Sequence, residues 1–123
     1  MKLTTAFILF ILLVASSYAD NEAVRVKILF GSICCGPDAN DEASVSKYIE
    51  RYESQHKVKL QSTSHGGLGR EGEHALCLGL NELDKQSQLE FVEGINKLLE
   101  GAKAGKVQGR DGITQVYENV PCP

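Results

Sequence analysis

A chain of 123 residues is long enough for one compact domain with a modest core. Thirteen Lys plus Arg against sixteen Asp plus Glu leave a net charge of −3, and without a basic stripe that balance sets aside a nucleic-acid partner. Four cysteines are too few for a scaffold held by disulfides alone, so burial must supply most of the stability.

The first nineteen residues read as an export signal. Lys2 supplies the positive start, Ala6 to Ala15 is an unbroken apolar run, and Ser17-Tyr18-Ala19 ends in the small residues that a signal peptidase reads. The run is too short to span a bilayer, and Asp20 stands where a lipoprotein would carry its cysteine. The expected mature chain is a single α+β domain over residues 20–123, secreted or periplasmic, with about four excess negative charges once Lys2 is removed. No later apolar stretch is long enough for a membrane span. Outside the cytosol, the cysteines become candidates for disulfides.

Val24, Val26, Ile28 and Phe30 alternate with Arg25, Lys27 and Leu29, the period of a half-buried strand. Gly36-Pro37-Asp38 ends it. A helix follows, with Asp38 or Asn40 as cap, Asp41 and Glu42 in its first turn, and an apolar stripe of Val45, Tyr48, Ile49 and Tyr52. Val58 and Leu60 mark a second strand, then a glycine-rich stretch runs from Gly66 to Gly72. Leu76, Leu78 and Leu80 alternate with Ala75, Cys77 and Gly79, which gives a third strand; interior Gly72 and Gly79 would each cost a helix about 1 kcal/mol. Asp84 or Ser87 caps the next helix, and Ser87-x-x-Glu90 fits a capping box. Its inner stripe reads Leu89, Val92, Ile95 and Leu99, supported by Phe91, Leu98 and Ala102, with Gly101 and Gly105 ending it. Ile113 to Val120 forms the last strand.

The order β-α-β-β-α-β, with right-handed crossovers, gives a four-stranded antiparallel sheet with two helices on one face, the ferredoxin-like arrangement. A thioredoxin-like or doubly wound variant applies if residues 71–83 are helical. In the first topology, Cys34 and Cys35, the hairpin from Ser64 to Gly72 and the loop from Lys106 to Gly112 share one edge. Cys122 falls at the other end.

Cys34 and Cys35 follow a strand and precede a helix N-terminus, a setting that favours thiolate. Their position resembles that of the metal-binding cysteines in heavy-metal-associated domains, which share this topology but use Cys-x-x-Cys rather than adjacent residues. Paired thiolates suit a soft ion such as Cu(I), Zn(II) or Hg(II), which the resemblance also implies, and His65 on the neighbouring hairpin is a candidate further ligand. The structural alternative makes disulfides of Cys34, Cys35, Cys77 and Cys122. Adjacent Cα atoms lie about 3.8 Å apart, below the usual disulfide span, so a Cys34–Cys35 bridge is the reducible option. Two bridges from Cys34 and Cys35 to Cys77 and Cys122 would relieve it.

Gly67-Leu68-Gly69-Arg70-Glu71-Gly72 matches G-x-G-x-x-G, yet the residues after it alternate like a strand, so a hairpin is the better reading than a dinucleotide fingerprint. Arg70, with Lys106 and Arg110, forms a basic spot suited to a carboxylate or phosphate on a partner. His65 and His74 have no familiar metal spacing, and no Ser-His-Asp or Cys-His-Asn signature is present. The expectation is a non-catalytic exported module that meets another protein and carries no cofactor. The alternatives are soft-metal capture at Cys34 and Cys35 and a thiol–disulfide oxidoreductase using the same pair.

Overall fold

The alternation and the helical stripes resolve into six elements: β1 (Arg25–Ser32), α1 (Ala39–His56), β2 (Gln61–His65), β3 (His74–Gly79), α2 (Lys85–Leu98) and β4 (Gly112–Glu118). This computed structural model describes residues 24–100 and 112–122. The export signal, the start at Asp20, and Gly101, Ala102, Gly105, Lys106 and Arg110 therefore lie outside the described residues. No helix among those described is long and apolar enough to cross a membrane.

The sheet runs β2-β3-β1-β4 with every neighbour antiparallel. Val26 lies opposite Leu78, Ile28 opposite Val116, and Thr63 opposite Cys77. Since β1 and β2 both oppose β3, they run the same way, and the protein has the expected α+β ferredoxin-like fold. Residues 71–83 contain β3 and no helix.

One sheet face packs on both helices. Val26, Ile28 and Phe30 of β1 and Leu78 of β3, with Leu80 just beyond it, meet Val45 and Tyr52 of α1 and Phe91 and Ile95 of α2. Leu99 completes the cluster, and all are at most 7 % exposed. Burying each such side chain contributes about 1.5–3 kcal/mol, so this layer is the main source of stability. The helices are also tied by polar contacts. Tyr48 Oη donates to the Phe91 carbonyl at 3.1 Å and Tyr52 Oη to that of Ser87 at 2.7 Å. Burial raises the pKa of both phenols, since the ionised form would lose its hydration.

Caps define the helix starts. Asp38 accepts from the amides of Asn40 at 2.9 Å and Asp41 at 3.4 Å, and α1 ends at Lys57 in the left-handed region, φ 52°. Asp84 accepts from the Ser87 amide at 2.8 Å. Ser87 is thus the third helical residue and not the cap, and Glu90 receives the Gln86 side chain at 3.0 Å instead of closing a capping box.

Two further expectations are corrected. Leu89 and Leu98 are 67 % and 41 % exposed; the buried arc of α2 is Phe91, Ile95 and Leu99, with Val92 partly covered. Val58 and Leu60 precede β2 instead of forming it. Leu60 joins the core from the connection while its amide donates to Glu53 at 2.9 Å. That carboxylate also takes Lys59 Nζ at 2.8 Å, and this bond, with the Leu60 amide, lowers its pKa against the opposing effect of burial.

Candidate functional site

β1 delivers its last residues to one end of the sheet. Ile33, Cys34 and Cys35 are exposed there, and Gly36 is buried. Cys35 and Gly36 have φ of 76° and 111°, so two successive left-handed residues turn the chain toward the α1 cap. Cys34 and Cys35 are bonded to one another across a Cα separation of 3.8 Å, and Cys77 is bonded to Cys122 across 6.0 Å.

Of the arrangements the sequence left open, this is the one with a vicinal bridge and not the crosswise one. Cys77 lies opposite Lys27 on β1. Seven residues of largely extended chain carry Cys34 about 20 Å beyond that point, outside disulfide reach. Cys122 reaches Cys77 because Asn119, at φ 53°, turns the chain after β4 back over the sheet face opposite the helices.

The β2–β3 hairpin closes on the cysteine turn, as the topology required. Ser32 Oγ donates to the Glu71 carboxylate and accepts from the Gly36 amide at 3.1 Å. The Gly36 backbone is so close to the hairpin that a Cβ on it would stand 3.3 Å from the Glu71 carbonyl oxygen. Glu73 accepts from the Glu71 amide at 2.9 Å, and its carbonyl receives the Leu68 amide at 3.2 Å. Gly67 and Gly72 have positive φ, and β3 rather than a helix follows, so G-x-G-x-x-G here is a hairpin.

The start of β4 is welded to the same end. Gly112 presses on the backbone of Gly31, Pro37 and Asp38, where no side chain fits. Thr114 Oγ1 donates to Asp41 at 2.6 Å inside the core boundary. Sequence reasoning missed this buried pair because its partners are 73 residues apart and neither belongs to a motif.

Other candidates separate. His65 lies opposite Ala75, in the strand phase of Cys77, on the face away from the helices. His74 lies on the helix face, its ring tilted by 31° against Phe30 with centroids 5.0 Å apart, with Nδ1 3.0 Å from the Gly72 carbonyl and Nε2 3.5 Å from Glu42. The sheet therefore divides the two histidines. Among the described residues, no group of three or more His, Cys, Asp or Glu side chains is placed to hold a metal ion. Arg70 is exposed on the hairpin, and its expected companions Lys106 and Arg110 lie outside the described residues.

The tip thus combines two pinned loops, a surface disulfide, and two exposed aliphatic side chains: Ile33 at 53 % and Leu68 at 49 %. In the oxidised state its sulfurs are neither nucleophile nor ligand. Reduction by two electrons and two protons frees two adjacent thiols. A separate cleft of about 390 Å³ lies between α2 and the far ends of β1 and β4, lined by Val24, Leu89, Val92 and Glu118. No protein-family model, curated protein or solved structure matches the chain, so the functional reading rests on this geometry.

Proposed function

We propose that the chain is a small exported, disulfide-stabilised, non-catalytic binding module that meets another protein through the tip of the cysteine turn and hairpin. The observation that carries this reading is Ile33 and Leu68 exposed on two loops that Ser32 and Glu71 hold together. Aliphatic side chains standing in water on a braced surface favour a partner that buries them. Arg70 on the same hairpin adds a charge that selects an acidic neighbour. The sequence reading of residues 1–19 supplies the route to a secreted or periplasmic location, and two cystines suit such a compartment.

The test has two arms. Mass spectrometry of the intact protein from its native host is expected to give a chain starting at Asp20 that gains four hydrogens on reduction. A chain starting at Met1, or four free thiols, removes the exported reading. Cross-linking in the native compartment, followed by purification, is expected to yield one partner that is lost with Ile33→Ser/Leu68→Ser and weakened by Arg70→Glu. The same partner retained at the same yield in these variants rejects the tip.

A second reading rests on Cys34 and Cys35 being adjacent and exposed: once reduced, they form a dithiol for a soft cation such as Cu(I), Zn(II) or Hg(II). It requires metal to co-purify under reducing conditions and to vanish in Cys34→Ser/Cys35→Ser. Metal-free reduced protein ends it.

A further inference from the structure

Val26, Ile28 and Phe30 fill the core, so Arg25 and Lys27 of β1 belong to the opposite, open face of the sheet. Strand register sets Gln61, Gly79 and Arg25 in one row across β2, β3 and β1, and Thr63, Cys77 and Lys27 in the next. The first row is notched at its centre because Gly79 has no side chain. The Cys77–Cys122 bond brings the C-terminal tail against the second row and gives the notch a wall. The result is a cavity of about 290 Å³ lined by Arg25, Gln61, Thr63, Gly79, Cys77 and Cys122.

Its polar lining is specific in kind. Arg25, Gln61 and Thr63 bring a guanidinium, a carboxamide and a hydroxyl to its lining, and among the described residues no acidic side chain lines it. Arg25 forms no ion pair with any described residue. Lys27 is drawn the other way, its Nζ 5.1 Å from the centre of the Tyr117 ring on β4. Among the described residues the cavity therefore holds one cation with a forked, planar set of donors, across β3 from neutral donors on the edge strand β2.

We infer that this notch is a carboxylate-binding site. The planar carboxylate matches the Arg25 fork with two parallel hydrogen bonds, and the Gln61 amide and Thr63 hydroxyl donate to the remaining lone pairs. A single guanidinium balances a single negative charge, which favours a carboxylate over a doubly charged phosphate. The body of the ligand lies over Gly79 and against the disulfide. The carboxylate belongs either to a small free acid or to an acidic side chain of a peptide. The site shares no residue with the tip, so it goes beyond the partner-binding reading and stands or falls independently of it.

The test is an NMR titration of isotope-labelled protein isolated with both disulfides intact. The probes are benzoate, its neutral isostere benzamide, and an acetylated, amidated tripeptide with a central glutamate. Saturable shifts at Arg25, Thr63, Cys77 and Gly79 are expected with benzoate or the peptide, and whichever saturates identifies the source. Benzamide is expected to leave these signals in place. Arg25→Gln should raise the Kd roughly tenfold or more through loss of the charge-assisted pair. Gly79→Ala should raise it several-fold with the fold intact, since the added Cβ would be 3.4 Å from Gln61, an ordinary contact. Benzamide binding as well as benzoate, an unchanged Kd in Arg25→Gln, or no saturable shift at these residues overturns the inference.

Discussion

Removing the bond between Cys77 and Cys122 by changing both to Ala should destabilise the protein far more than removing Cys34–Cys35 in the same way. The two cysteines are 45 residues apart. On the chain-entropy account, closing a loop of that size takes about 13 cal/mol/K from the unfolded chain, or about 4 kcal/mol at 25 °C. The adjacent pair closes almost no loop, and the same relation leaves it under about 1 kcal/mol. A domain of this size has only about 5–15 kcal/mol in total, so the larger loss brings it close to unfolding. Urea titrations of the oxidised protein and the two double variants would separate the cases. With a slope near 1.5–2 kcal/mol/M, the Cys77/Cys122 variant should lose roughly 2–3 M in midpoint and the Cys34/Cys35 variant less than about 0.7 M. Equal losses, or a midpoint unchanged without Cys77 and Cys122, would refute the pairing and the role of the tail as a strap.

Gly112→Ala should cost about 1–3 kcal/mol, because its Cβ meets backbone atoms of Asp38, Pro37 and Gly31 that cannot rotate away. Gly66→Ala, with open space around it, serves as the control in the same urea assay, and matching midpoints would disprove the close approach. Phe91→Ala should lose about 3–5 kcal/mol, whereas Leu89→Ala should stay within about 0.5 kcal/mol; the reverse order in thermal unfolding would mean the helix is rotated. The lowered pKa of Glu53, held by Lys59 and the Leu60 amide, makes its ionised form stabilising. That contribution is present above the unfolded value near about 4.3 and is lost as pH falls through the lower folded value. The acid limb of a stability–pH curve should therefore be shallower in Glu53→Gln, and parallel limbs for the two proteins would count against it.

The sheet and its helices were legible because burial imposes a period. Val26, Ile28 and Phe30 alternate, and Val45, Tyr48, Ile49 and Tyr52 lie on one side of a helix. Phase was harder to read than period. At about 100° per residue, Leu89 and Leu98 lie about 180° apart and flank the buried arc of Phe91, Ile95 and Leu99 on opposite sides. Hydrophobicity alone gave them no reason to be outside. β2 was misplaced because an edge strand that the helices do not fully cover carries no apolar alternation, while Val58 and Leu60 in its approach do. The shared edge of the cysteine turn and hairpin followed from topology. The disulfide partners did not, because pairing depends on how far β1 extends past Cys77 and on the reversal at Asn119, neither of which has a local signature. The open-face notch was hidden for a similar reason: Arg25, Gly79 and Gln61 become neighbours only through strand register.

β2 also has a consequence for how the molecule behaves in company. Gln61 to His65 borders the sheet with its outer amides and carbonyls unclaimed by any further strand among the described residues, and the segment has no lysine, glutamate or proline to repel a newcomer. Two copies can align these hydroxyl-rich seams head to tail without opposing like charges. Crowding should thus promote ribbon-like stacking of sheets, which a lysine grafted at Ser62 would suppress.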